Sequence, residues 1–256
     1  NWQLPDYSKQ ALFSQKSFVF DGVDQRITTS ATVTGTDFTL SYWVNANGSY
    51  ATFQRFHPVS IRPSNNVENQ SIGYLYTKGA TLYPSLQAYD STDTSYSTWS
   101  ARNLDFAGAG WHHIAWTFNN TTKATYCYVD GVAQTFTDYG GTATTAYLIA
   151  RGWTYSDVTI GANWIPSEFF DGNIDDVSIY NTEKSGADIS AIYNSGVPKD
   201  ESATAGLIGY WTFDDATFDT NWTVPDNSPS GTNTGTSANM DEVDLQFITP
   251  TNPNRG

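Results

Sequence analysis

Three chemistries are within reach of the residue types in this chain: hydrolysis by a carboxylate pair, attack by a thiol, and metal binding by tandem histidines. Two-carboxylate hydrolysis of the retaining kind needs carboxyl groups roughly 5 Å apart with one held protonated. The glutamates, Glu68, Glu168, Glu183, Glu201 and Glu242, are each isolated. Aspartates are adjacent at Asp175-Asp176 and Asp214-Asp215, but neighbours along a strand point to opposite faces, so neither pair is expected to meet one substrate atom. His112-His113 in GWHHIAWTF diverge by the same rule, and no third ligand stands nearby at metal-site spacing. Hydrogen-bonded packing at a sheet edge is the expectation for both. Cys127 is the single cysteine and lies between two tyrosines in TYCYVDG, which excludes an intrachain disulfide and fits a packed strand thiol better than a nucleophile. The chain contains no G-x-S-x-G elbow, P-loop or dinucleotide fingerprint. No enzyme is expected on these grounds.

The elements that would position any site are strands. With 256 residues, 39% apolar and 15% aromatic, the chain can fill a real core, and its abundance of Trp, Tyr, Phe and Thr favours pleated structure. A formal net charge of -14 repels phosphate backbones and argues against a nucleic-acid partner. No apolar run approaches membrane-spanning length, so no membrane insertion is expected, and the first twenty residues lack the pattern of a signal peptide. SFVFDGVDQRITTS reads as a first strand turning at Gly22. DFTLSYWVNA carries Phe38, Leu40, Tyr42 and Val44 on one face and Thr39, Ser41 and Trp43 on the other, which predicts a strand covered on both sides. WHHIAWTF and ATYCYV alternate about the NNTTK turn, and Asp130-Gly131 supplies residues that accept positive φ in a two-residue hairpin. In FFDGNIDDVSIYN, Asp175, Val177 and Ile179 fall on one face of a last strand. SGADISAIYNSG is the one convincing helix, with Ser185 as its cap. Between 45 and 100, Pro58, Pro63 and Pro84 suggest short strands joined by elaborate loops.

Taken in order, FDGVDQRITTS, DFTLSYWVNA, GWHHIAWTFNNTTKATYCYVDGV and IGANW with FFDGNIDDVSIYNTEKSGADISAIYNSG resemble the signatures of the laminin-G-like, concanavalin A-like lectin/glucanase family. The resemblance covers residues 17 to 196. It implies an all-β fold, a two-sheet antiparallel jelly-roll sandwich with one short helix, flanked by an N-terminal arm (1–16) and a C-terminal extension (197–256) of one strand and a polar tail. The SFVFDGVD opening, AIYNSGVPKD and the terminal WTVPDNSPSGTNTGTSANMDEVD together further resemble laminin-G-like proteins encoded by marine bacteriophages, often as virion components. That likeness points to a virion surface or extracellular location and to neighbouring virion subunits or a homo-oligomer as partners.

Glucanases share this fold, but the E-x-D-x-x-E arrangement of paired catalytic glutamates is absent here. The family commonly braces its rim with calcium, a structural Ca2+ for which Asp, Asn and carbonyl oxygens are apt ligands. The carry-over falls on Asp21 and Gly22 of the FDG turn and on Asp175 or Asp176 of NIDDV, with Asp175 favoured because an unpaired carboxylate beside Val177 and Ile179 needs a cation or several donors. The alternative is that Asp21 shapes its turn and Asp175 accepts backbone N–H bonds. For a cell-surface or polymeric glycan, Trp99, Trp153, Tyr155 and Trp164 lie among polar neighbours and could stack on sugar rings, with Arg55, His57 and Arg151 binding hydroxyls. Each aromatic could equally serve its own loop as a small core. Trp43, Trp111, Trp116 and Trp211 are assigned to the sandwich core. Together these features predict a non-catalytic adhesion or assembly protein, with a secreted carbohydrate-binding module as the alternative and a glycoside hydrolase behind both.

Overall fold

The computed structural model describes residues 14–33, 37–47, 54–63, 71–78, 81–89, 96–101, 110–119, 121–122, 124–137, 142–143, 146–147, 155–247 and 250. In chain order the strands are β1 (Ser17–Asp21), β2 (Arg26–Thr28), β3 (Phe38–Ala46), β4 (Arg55–Phe56), β5 (Val59–Pro63), β6 (Ser71–Lys78), β7 (Thr81–Tyr89), β8 (Tyr96–Ala101), β9 (Trp111–Asn119) and β10 (Ala124–Val129). There follow β11 (Val132–Ala133), β12 (Phe136–Thr137), β13 (Thr142–Ala143), β14 (Ala146–Tyr147), β15 (Tyr155–Ile160), β16 (Asp171–Tyr180) and the helix α1 (Gly186–Tyr193). The chain closes with β17 (Leu207–Trp211), β18 (Thr217–Phe218), β19 (Trp222–Val224), β20 (Gly235–Ala238), a 3-10 turn at Glu242–Asp244 and β21 (Leu245–Gln246).

Among the described residues these strands form a large antiparallel sheet in the order β11-β10-β9-β3-β16-β1-β21, with β14 beside β10 and β17 beside β16. Two six-stranded sheets, β13-β12-β8-β7-β6-β4 and β18-β19-β20-β2-β15-β5, lie next to one another through β5 and β6. The main core joins Phe20, Leu40, Tyr42, Trp116 and Ile179 of the large sheet to Val59, Leu75, Leu82 and Val158 of the other two. This is the expected two-layer sandwich.

The two-sided burial predicted for β3 is present. Phe38, Leu40, Tyr42 and Val44 face the main core, whereas Thr39, Ser41 and Trp43 are buried on the outer face. Trp43 therefore sits beneath the helix, its ring stacked 5.8 Å from that of Tyr193, and not inside the sandwich. Trp116 and Trp211 do lie in the main core, and Trp111 is 5% exposed. A second apolar cluster, with Tyr128, Tyr180, Ile189, Ile192, Leu207 and Tyr210, packs α1 and the following segment on the outer face. Ser185 caps α1 as predicted, its hydroxyl accepting from the Asp188 N–H while the Asp188 carboxylate accepts from the Ser185 N–H. The left-handed Asn194, φ 48°, ends the helix ahead of Gly196. Asp130 and Gly131 adopt φ 50° and 75°, as the two-residue hairpin requires.

Two expectations are corrected. The extension contains five strands, not one, and they are built into two sheets: β17 and β21 extend the large one, while β18, β19 and β20 reach β2. Thr and Ser hide this in the sequence, because between the apolar anchors Trp222 and Val224 they occupy strand positions that a polar tail would also carry. The second correction concerns Asp175. A bulge at Asp176, φ 47°, shifts the register between Asp175 and Ser178. Asp175 pairs with Trp43 on the outer face, while Val177 and Ile179 point into the core. Strict alternation fails at that one residue.

Candidate functional site: a groove at the sandwich rim

The loop 161–170 between β15 and β16 folds back over the start of β4 and the turn after β1. Backbone bonds fix it at both ends: Gly161 N–H to Pro58 O (2.8 Å), Phe170 N–H to Gly161 O (2.9 Å) and Gly22 N–H to Phe170 O (3.1 Å). Phe170 is fully buried in the core, which leaves the neighbouring Phe169 at the surface side. Glu168 has φ 52°, a conformation in which its carbonyl accepts from His57 N–H at 3.1 Å. Its carboxylate then accepts from Asn163 Nδ2 at 3.3 Å and lies 3.3 Å from His57 Nδ1. A left-handed glutamate is a strained residue held by its surroundings, and such residues concentrate at functional sites.

Gly22, Gln54, Arg55, Phe56, Glu168 and Phe169 line an open groove of about 460 Å³ here, within the range of small-molecule sites. Phe56 and Phe169 are half-buried apolar walls. The Arg55 guanidinium sits 5.5 Å from the centre of the buried Tyr74 ring. Burial raises the Glu168 carboxyl above its usual range, against the opposing pull of the Arg55 charge and the Asn163 hydrogen bond. Burial, reinforced by Arg55, lowers His57 to about 3, so its imidazole is neutral at physiological pH. The described lining thus offers one guanidinium, one carboxylate, one amide and two aromatic rings. That set can stack on a flat ring and bind hydroxyls, and the described lining has no second carboxylate with which Glu168 could form a hydrolytic pair.

The structure brings together only some of the predicted site residues. Arg55 and Gly22 line the groove, and Trp164, half-buried, lies in the loop that carries Glu168. His57 is fully buried and supports the groove from behind. Trp99 and Tyr155 belong to strands, not loops: Trp99 pairs with Leu86 inside β8, and Tyr155 opens β15 opposite Pro63, at the other end of that strand from the groove. Trp153 and Arg151 lie outside the described residues. Glu168, Phe56, Phe169 and Gln54 escaped sequence reasoning. The available signal was the aromatic residue beside a charged one in both QRFHP and SEFFDG.

The calcium positions do not fit one ion. Asp21 pairs with Asp171, and Asp175 is four residues further along β16, about 13 Å away. The Asp21 carboxylate accepts from Val23 N–H (2.8 Å) and Asp24 N–H (3.4 Å), the turn-shaping role. Asp175 accepts from Ser14 Oγ–H (2.6 Å) and Asp176 N–H (2.8 Å). Among the described residues no group of three or more His, Cys, Asp or Glu is placed to hold a metal. The tandem histidines also have structural partners: His112 Nδ1 lies 2.8 Å from Asp130, and His113 Nε2 lies 2.7 Å from Ser41 Oγ. Cys127 is fully buried, and burial pushes its thiol well up.

Comparisons with known proteins agree with this architecture. Among solved structures, a presumed carbohydrate-binding protein from Bacteroides ovatus superposes with a TM-score of 0.57 at 16% identity, over 94% of this chain and 62% of that one. A pentraxin from Limulus polyphemus gives 0.51 at 14% identity, over 70% and 82% of the two chains. Tailspike protein 2 of an Escherichia coli bacteriophage gives 0.52 at 16% identity, over 82% of this chain and 32% of the tailspike. The chain thus spans less than two thirds of the Bacteroides protein and of the tailspike. No curated protein matches it. The sequence profile of the concanavalin A-like lectin/glucanases superfamily matches residues 21–190, and the chain belongs to that family.

Proposed function

We propose that this protein is a non-catalytic adhesion or assembly module that binds a polymeric or cell-surface glycan in the rim groove, as a bacteriophage virion component. The groove itself carries the reading: two aromatic walls, a guanidinium and a carboxylate converge on a space large enough for sugar rings. The family is lectin-like, and the loops of a sandwich rim are where such proteins vary without disturbing the core. Charge narrows the ligand. The chain carries -14 overall, and the groove sets Glu168 against Arg55, so neutral sugars suit it better than uronates or sulfated chains. The virion assignment draws on the sequence likeness of the first strand and the extension to phage proteins, and it places the module on a virion surface beside neighbouring subunits. A secreted lectin module is the alternative, and the two differ in assembly.

A glycan array of neutral and acidic polysaccharides, probed with the wild-type chain and with the Phe56→Ala and Phe169→Ala variants, tests the reading. Binding to a neutral glycan, weakened at least tenfold in both variants, is expected. Failure to bind any glycan, or binding unaffected by both substitutions, would overturn it. Light scattering on the same preparations then separates a defined oligomer, expected of a particle protein, from a monomeric lectin.

A further inference from the structure

The bulge in β16 puts two aspartates on the same face of the sheet, under the extension. Asp175 is 0% and Asp176 7% exposed. Asp176 borders a cavity of about 10 Å³ shared with Ser41, His113, Lys199, Glu201 and Tyr210, room for no more than one water molecule. Bulk solvent therefore does not hydrate a charge there. The hydrogen bonds favour a proton on Asp176 over one on Asp175. Asp175 is satisfied as a carboxylate, since Ser14 and the Asp176 N–H both donate to it. Asp176 is not: its Oδ1 lies 2.9 Å from the Tyr210 hydroxyl, its Oδ2 is buried without a partner, and the same hydroxyl is 3.2 Å from the Lys199 carbonyl. One phenolic proton cannot serve both acceptors. If Tyr210 donates to Lys199 O, Asp176 must donate to Tyr210.

We propose that this bulge is a proton-operated clasp: a protonated Asp176 ties β16 to Tyr210 and the extension, and loss of that proton loosens the extension from the sheet. The groups around it reinforce the arrangement. On β16 itself Asp175 is also pushed well up, by burial and by Asp176, so the two aspartates titrate as a pair, while Asp200 and Glu201 from the 194–206 segment and Asp214 from beyond β17 add negative potential at Asp176. Lys199 lines the same cavity, but its ammonium lies 3.2 Å from Glu201 and so opposes a carboxylate already present. His113 of β9 is lowered to about 4 by burial and stays neutral, while α1 contributes Ile192 to the cavity wall. Burial, helped by those acids, raises Asp176 from its ordinary value to about 8. A carboxyl held more tightly protonated in the folded state contributes its stability fully at about pH 4 and loses it as pH rises towards 8.

Most exposed carboxylates are ionised by pH 6, so the interval from 6 to 9 reads the buried Asp175–Asp176 pair. The melting temperature of the wild-type chain should fall by about 5 °C or more across that interval, with faster amide exchange in β17 after correction for intrinsic rates. Asp176→Asn, which keeps a donor at that position, should flatten the profile. The infrared band of a protonated carboxyl should be present in the wild-type protein at pH 6, fade as pH rises towards 9, and remain in Asp175→Asn, which assigns it to Asp176 and not to its raised neighbour. A flat wild-type profile without the band, or a fall that persists in Asp176→Asn, would overturn the clasp. If Asp176→Asn does not fold, the infrared titration of Asp175→Asn decides: a band absent from that variant would overturn the clasp.

Discussion

Gly161 shows how single residues set the rim. It has φ +86°, and a Cβ built there would lie 2.2 Å from two atoms of the Phe20 ring in the core. Gly161→Ala should destabilise the protein by about 2–4 kcal/mol in denaturant unfolding, from backbone strain and core displacement together. Its N–H and carbonyl also close the loop that carries Glu168, so the variant should lose glycan affinity before it loses the fold. The position is silent in the sequence, where nothing in VTIGANW announces the need for a residue without a Cβ. The reverse holds for Cys127 and for Asp130-Gly131, whose surroundings and turn geometry were legible because alternation and a two-residue turn are local properties. Glu168 and Asp176 were not legible for a shared reason. Each takes a left-handed conformation imposed by distant partners, His57 and Tyr210, and no neighbour in the sequence announces it.

At the scale of elements, α1 and β3 explain one another. Eight residues make a marginal helix, so α1 persists because Ile189 and Ile192 are buried on the sheet and because its N-terminus is capped. Ser185→Ala should remove about 1 kcal/mol, seen as a fall of roughly 2–4 °C in melting temperature. Its effect on β3 should be small, since Trp43 also packs against His113 at 5.3 Å. The helix and the long strands were readable because each carries one period along its whole length. The Thr- and Ser-rich strands of the extension were not, for their few hydrophobic members are scattered among polar residues, and only the sheet they join reveals the register.

For the molecule as a whole, the segment recognised by family likeness is not the folding unit. Trp211, Phe213, Trp222, Val224 and Met240, all C-terminal to that segment, lie in the main core. Losing buried aromatic residues costs about 3–5 kcal/mol each, and a typical domain has only about 5–15 kcal/mol in total. A chain ending at residue 196 should therefore fail to give a cooperative thermal transition and should be recovered as aggregate, whereas the full chain melts in one step. The edge of β16 away from β3 shows why. It is shared end to end by β1 at Asp171–Ile174 and by β17 at Val177–Tyr180.

That shared edge also sets an order of events during synthesis. The first strand emerges from the ribosome early, yet its neighbour β16 stays half-unpaired, and β1 itself keeps an open side until β21 arrives. No stable sandwich can close on the nascent chain before residues 207–246 are made. A protein so arranged spends its translation with unpaired strand edges exposed, and its yield depends on how quickly the last strands follow the first.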